Sequence, residues 1–599
     1  MKLPRLNHID TQTSTVDVFK GYNHNFRIGD GEFYDMKNLT STYYPVLSPR
    51  SKRGTYVENI SSQGMIAKDS LCYVDGSKFV INEHPIEMGL NDEPKQLISM
   101  GAYVIIMPDK KYINTINHTD KGNIEASFPS AESEIVTATY EMCKLDGTSY
   151  TNIIKNSTAP EITDEMMKDA SKIPMWIDTS STPHSLKQYS TASKVWSQIA
   201  TTYVKISAPS IASSFKQYDA VKISGIPTDK IPQLKDLEGG VSVLWDAHHD
   251  EENPSSDYIV VIGFIDEVVT HESQLRIERR MPVMDFIIES ENRLLGCRYG
   301  ENINGEVVNE IYASKLGDFK NWNCFMGLST DSYVASCGTD GQFTGAITHL
   351  GYPLFFKENY VHKVYGNYPA NFSIQTTALR GVQKGCSKSL AIVNETLFYK
   401  SRNSVCAYDG SLPVEISNVF GDVSYRDAVA CSHGNKYYIS MKDAANEYHL
   451  FVYDTSKGLW HKEDNLAVKE FCPCRNELYY ILQDGTDIKT MFGSGTADIN
   501  PVSWMAETGV IGMYTSDKKY VSRLNIRMST DIGTKVQLFA QYDSGREWEL
   551  LYTMNSTSLC SFSVPIRPRR CDHFRLRIVG EGDAKIFSIT KTLEQGSDR

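Results

Sequence analysis

A short hairpin unit recurs along this chain, and one long stretch of different texture interrupts the series. The clearest copy spans 391–416. Leu397, Phe398 and Tyr399 read as one strand, 401–403 as a turn, and 405–408 as the next strand, closed by Asp409 and Gly410. One such unit cannot bury both faces of its own sheet, whereas units stacked side by side can. An earlier copy at 64–82 sets Asp75-Gly76 between two apolar runs, a strong hairpin signal because the turn wants positive φ. Another lies at 97–113. The series resumes at Met284, with Phe286 to Ile288 answered by 293–297, and continues at 345–365, 391–416, 429–460 and 468–492. Roughly seven units at a spacing of about 40–50 residues suit the blades of a propeller, which leaves short protected edges. Separate β-sandwiches are the competing arrangement. If the ring closes, strands near 65–82 are expected to complete a blade with strands near 478–492.

Between 127 and 280 the texture changes, and Pro, Ser and Thr become common, as in 177–193. Four apolar runs inside it, at 202–206, 218–223, 241–245 and 258–265, read as an inserted β-rich domain, with a short helix expected at 230–237. The last hundred residues alternate with period two, which places Val536, Leu538, Ala540 and Tyr542 on one face of a strand. The expected fold is therefore all-β: a β-propeller interrupted by an inserted β-rich domain and followed by a C-terminal β-sandwich. The boundaries read as a lead-in segment over 1–60, the first part of the propeller over 61–126, the insert over 127–282, the second part over 283–495, and the sandwich over 500–599.

Tyr is abundant at 34 copies beside 7 Trp and 40 Gly, a balance that leans towards sheet. The net charge of −12 argues against a broad grip on nucleic acid, which needs clustered Lys and Arg, yet it suits a wall that nucleic acid slides past. No apolar run has the length of a signal core or a membrane span. The twelve Cys are scattered, and the close pair Cys472 and Cys474 has no matching pair elsewhere, so reduced thiols of a protein made in a cytosol are expected.

Candidate chemistry is sparse. His248, His249, Asp250, Glu251 and Glu252 are contiguous in a polar loop, and contiguous ligands rarely converge on one ion. Asp543, Gly545 and Trp548 have the spacing of an Asp-box turn, read here as a plain hairpin turn because Gln541 stands where a Ser or Thr is usual. Charged groups such as Glu278, Arg279 and Arg280 could serve a propeller enzyme only if they converged with others. No phosphate-binding Gly loop or nucleophile elbow occurs. No catalytic, metal or cofactor site is therefore expected. Two basic clusters remain as candidate subunit-docking patches: Arg50, Lys52 and Arg53, and Arg567, Arg569 and Arg570.

The stretch with Asn38-Leu39, Tyr44-Pro45, Leu47, Arg50 and Arg53-Gly54 resembles the N-terminal part of tail-associated virion proteins of bacteriophages and prophages. The ending over 564–591 is similar to the C-terminal domain of such proteins from phages of Gram-positive hosts. The plan as a whole resembles the tail nozzle, or tail tubular, proteins of short-tailed phages. That resemblance implies a non-enzymatic virion structural protein of the tail, made in the host bacterial cytoplasm. Its copies would form an oligomeric ring, commonly hexameric, whose axial channel between subunits passes phage DNA without specific binding. Portal, adaptor and other tail proteins would be its neighbours. A tail-tip or fibre protein binding host surface glycans is the alternative, and a glycan-active propeller enzyme is a third reading.

Overall fold

The period-two alternation becomes strand almost everywhere: the computed structural model, which describes residues 11–131, 133–514 and 516–595, is nearly all-β. Residues 1–10 of the lead-in segment and 596–599 of the end domain lie outside the described residues. Among the described residues no helix is long and apolar enough to cross a membrane.

Seven small sheets follow one another along the chain. Six take four consecutive strands each, over 62–87, 96–123, 286–336, 345–378, 391–415 and 426–462. The seventh holds Val468–Cys474, Glu477–Leu482 and Ile488–Thr490, then takes its next strand, Gly54–Val57, from far upstream. The expected pairing of 65–82 with 478–492 is thus corrected. Residues 62–87 keep their own sheet, and Gly54–Val57 covers the edge left by Ile488–Thr490. Glycine makes this possible: a Cβ on Gly54 would lie 2.7 Å from the Ser494 carbonyl oxygen and 2.8 Å from Thr490 Oγ1.

The chain divides into two compact units, one of residues 1–97, 339–363 and 374–599, the other of 98–338 and 364–373. In the first, the sheet of 62–87 packs on the seventh sheet through Met65, Tyr73, Cys472 and Ile481. The seventh packs on the sheet of 426–462 through Val429, Tyr438, Leu450 and Leu478. Buried tyrosines tie neighbours together: Tyr437 donates its hydroxyl to the Ser389 carbonyl at 2.7 Å, and Tyr399 to the Arg380 carbonyl at 2.6 Å. This accounts for part of the high Tyr content, because an apolar ring with a polar tip can fill a gap between sheets and still satisfy a backbone oxygen.

The same unit holds a two-sheet end domain. One sheet runs Thr11–Val16, Ala584–Gln595, Lys519–Thr530, Cys560–Val564. The other runs Gly21–Tyr22, Glu32–Lys37, Ser503–Thr508, Phe574–Glu581, Lys535–Tyr542, Glu549–Met554. Val536, Leu538 and Ala540 turn inward as the alternation requires. The sandwich expected from 500–599 alone is therefore built from both ends of the chain. Thr13 and Thr15 face Thr592 and Thr590 with hydroxyl pairs at 3.0 Å, and Phe33, Met36 and Leu39 are buried in the shared core. Without the N-terminal strands, Ala584–Gln595 and Ser503–Thr508 would each present an open edge.

In the second unit, the sheets of 96–123 and 286–336 share a core of Ile105, Met107, Leu294 and Trp322. The insert contributes a five-stranded sheet centred on Tyr203–Ser207 and Val136–Cys143, and two four-stranded sheets. The helix expected at 230–237 is a 3-10 helix, Pro232–Leu237, which buries Leu234.

Trp504 faces Gly580 across the strand pair and is held by its indole N–H on the Gly582 carbonyl at 2.9 Å. A Cβ at position 580 would fall 2.1 Å from the indole ring. Gly580→Ala is expected to destabilise the end domain by about 1–3 kcal/mol, read as a lower urea midpoint at unchanged slope.

Candidate functional site

The residues of the N-terminal motif converge on one structural junction. Asn38 adopts a left-handed φ of 55°, which turns its backbone N–H onto the Glu463 carbonyl at 2.5 Å. Its side chain donates to the Ser503 carbonyl at 2.7 Å and accepts from Arg50 Nε at 2.8 Å. Leu39 is fully buried, and Leu47 exchanges two backbone hydrogen bonds with Ile586. Asn38 thus joins the chain's beginning both to Glu463, next to the sheet of 426–462, and to the end domain, and Leu47 joins it to the end domain.

Arg50 and Arg53 complete the junction. Arg53 lies 2.9 Å from Glu463 Oε2, pairs still more closely with Asp464, and stacks 5.8 Å from the centre of the Tyr480 ring. Arg50 reaches the same two acids at 3.8 and 3.6 Å. Burial works against the charge on Arg53, yet Asp464 and Glu463 outweigh it and hold its pKa above the ordinary value. Burial also pushes the Glu463 carboxyl above its usual range, although Arg53 and Arg50 pull it back. Both groups shift upward, Arg53 because its acidic partners prevail over burial and Glu463 because burial prevails over its cationic partners, and the main effect of such a cluster is to fix geometry.

The docking role expected for Arg50 and Arg53 is therefore corrected: both guanidiniums are consumed inside the fold by two carboxylates more than 400 positions away, at 463 and 464. Nothing local reveals this. Glu463 and Asp464 directly follow the short strand Leu459–Lys462, as the charged residues of many solvated turns do. Lys52 stays exposed, donating to the Ile499 carbonyl at 3.0 Å. Arg567, Arg569 and Arg570 are exposed on an irregular stretch after Cys560–Val564, with Arg569 lying 5.0 Å from the Tyr542 ring centre.

Other sequence candidates resolve into structure. His249 Nδ1 contacts the buried Asp257 carboxylate at 2.7 Å, and Asp257 also accepts from the Asp250 N–H, so this loop is braced from within. Asp543 and Ser544 form a positive-φ turn, and Asp543 caps the N–H groups of Asp572 and His573. Trp548 stacks on the Arg577 guanidinium at 3.9 Å. All twelve cysteines are free thiols, and burial pushes Cys72 up to about 11. Between the two sheets of the end domain lies a cavity of 380 Å³ with a mixed lining, among it Phe19, Phe26, Ile511 and Leu538, edged by the Asp30–Lys591 ion pair. Asp443, Glu447 and His449 lie close together on one hairpin, with Asp443 bonded to His449 Nε2 at 2.9 Å.

No family model and no curated protein matches the chain. Among solved structures it is similar to an exo-β-1,3-galactanase of Phanerochaete chrysosporium, with 11% identity over 51% of this chain and 94% of that one at a TM-score of 0.22. It is also similar to PorZ, a surface component of the type-IX secretion system of Porphyromonas gingivalis (10% identity, 88% and 82% coverage, TM-score 0.25). A third likeness is to a family 43 arabinoxylan arabinofuranohydrolase of Bacillus subtilis (9% identity, 51% and 94% coverage, TM-score 0.19). At these values the likenesses carry no argument about what this chain does.

Two tests follow from the junction and from the buried histidines. Arg53→Met leaves the buried Glu463 with only the more distant Arg50 and is expected to cost about 3 kcal/mol in urea unfolding; adding Glu463→Leu should restore much of it. His362 and His461 are held neutral by burial, at about 4 and about 3 against an ordinary 6.5. Because these folded values are depressed, the stability they support is present above 6.5 and is lost as pH falls towards 4. Thermal melts across that window should show the loss, and His362→Asn should reduce it.

Proposed function

We propose that this chain is a virion structural subunit of a bacteriophage tail, whose copies assemble into a nozzle-like ring continuing the DNA exit channel. In this reading the seven sheets are the blades of one propeller, the channel runs between subunits, and the chain has no catalytic role. Portal, adaptor and other tail proteins are its neighbours.

The observation that carries the reading is the use made of the N-terminal motif. The residues that resemble tail proteins are the ones that weld the chain's beginning to the sheet of 426–462 and to the end domain. Gly54–Val57 closes the edge of the seventh sheet, and Thr11–Val16 pairs along Ala584–Gln595 over six residues of each strand. Pulling either end of the chain therefore loads rows of hydrogen bonds together with a buried ion-pair cluster. A subunit of a conduit that withstands ejection needs that kind of resistance. The net charge of −12 supports the same reading, since an acidic wall repels phosphates and lets a duplex pass.

Light scattering on the purified protein and negative-stain imaging of the protein and of labelled particles test this. The expected result is a symmetric closed ring with one axial opening, located at the tail. A chain that stays monomeric, is absent from particles and cleaves or binds a polysaccharide overturns it in favour of a glycan-directed role.

A further inference from the structure

The cavity of the end domain departs from the packing of the sandwich around it. Facing sheets are filled by interdigitating apolar side chains at close to crystal density. Here a hollow of 380 Å³ remains between them. Its inner lining is apolar and buried, with Ile526, Leu538, Leu576, Ile578 and Ile589 along it. Phe26, Met513 and Tyr514 also line it but are exposed, so they stand where it opens to solvent.

One inner position breaks the pattern. Ile589, Lys591 and Leu593 take successive inward positions of Ala584–Gln595, so a lysine stands where the alternation calls for an apolar side chain. Only 8% of that side chain is exposed. Its ammonium carries three N–H donors and has one partner among the described residues, Asp30 Oδ1 at 2.8 Å. Ser14 lies opposite it in register and brings no charge. Asp30 has 58% of its side chain exposed, so it can turn to water at little cost. Two other charged residues line the cavity. Arg27 is exposed, and Glu32 is occupied with the Gly29 N–H at 2.7 Å. A buried lysine in an ion pair adds little net stability, so packing alone does not account for position 591.

We propose that this cavity binds an aliphatic carboxylate of the fatty-acid type, with its chain between the two sheets and its carboxylate on Lys591 in place of Asp30. The volume and the apolar inner lining suit an alkyl body. A nearly buried ammonium at the edge supplies the complementary charge, and its hold on a carboxylate is stronger there than in water. A phosphate would call for a second cation beside Lys591, and Arg27 is exposed. A cationic head would meet Lys591 and be repelled. The site lies within one subunit and does not depend on ring formation, so its failure and that of the tail reading are separable.

The test is isothermal titration of decanoate into the full chain at neutral pH, below the micelle concentration. Binding should saturate at one decanoate per chain and be tighter than that of decanol. Lys591→Met keeps an unbranched stem without the charge; it should weaken decanoate about tenfold and leave decanol unchanged. Asp30→Asn removes the competing carboxylate and should tighten decanoate, whereas a merely structural ion pair would give no gain. Ser14→Phe places a ring in the cavity and should weaken both ligands. Circular dichroism melts check that each variant is folded, and if Lys591→Met does not fold, the Asp30→Asn comparison decides. Absence of saturable binding, decanol binding as tightly as decanoate, unchanged decanoate binding in Lys591→Met, or no gain in Asp30→Asn overturns the proposal.

Discussion

Unpaired sheet edges are the constraint on which most of this architecture depends. A chain built from small sheets creates many edges, and each open edge invites pairing with the wrong partner. This molecule covers several of its critical ones with residues from its own beginning. Gly54–Val57 covers Ile488–Thr490, Glu32–Lys37 covers Ser503–Thr508, and Thr11–Val16 covers Ala584–Gln595. Residues 11–60 are therefore structural mortar. Their apolar residues Phe19, Phe33, Met36, Leu39 and Leu47 belong to the same core as Phe451, Trp460, Trp504 and Leu538.

Covering an edge with a distant strand needs a register device, because a slip by one residue would reverse every side chain. The cluster of Arg50, Arg53, Glu463 and Asp464 supplies it. Ion pairs of this kind contribute little net stability once desolvation is counted, but a wrong register would leave charges buried without partners. The hold of Asp464 and Glu463 on the Arg53 charge, against its burial, is the electrostatic mark of such a device. Asn38 acts in the same direction: its left-handed backbone and both ends of its amide are committed to particular groups, so the strand that follows can start in one place.

What the sequence made legible follows from the range of the forces involved. The hairpin at Asp75-Gly76 is visible because turn chemistry is local: Gly76 has φ 57° between Leu71–Asp75 and Lys78–Ile81. The inward face of Val536, Leu538 and Ala540 is visible because the strand period is two. The partners of Gly54–Val57, Arg50 and Arg53 are fixed by contacts across more than 400 positions, and no local pattern encodes them. A surface-docking cluster and a buried ion-pair cluster have the same one-letter spelling. Cys472 and Cys474 show the same limit: their two-residue spacing is that of a ligand pair, while the structure makes them inward positions of one strand.

The distribution of charge differs between the junction and the root of the insert. At the junction, two arginines meet two acids, with Arg53 and Glu463 buried and Arg50 and Asp464 partly so. At the root of the insert, cations and acids together line an open hollow. The difference arises from topology. The junction lies where three chain segments, around 38–53, 454–464 and 503, are sewn together, so every charge there must be matched within the fold. The root of the insert is where one segment leaves a sheet and returns to it, through Ala126–Phe128 and Arg276–Arg279. Arg276–Arg279 is covered there by Ala126–Phe128 on one side and Ala220–Ser224 on the other, and the polar side chains beside them line the hollow. The arginines at that point are matched within the fold as well, Arg279 by Asp219, and Arg276 and Arg280 by Glu278.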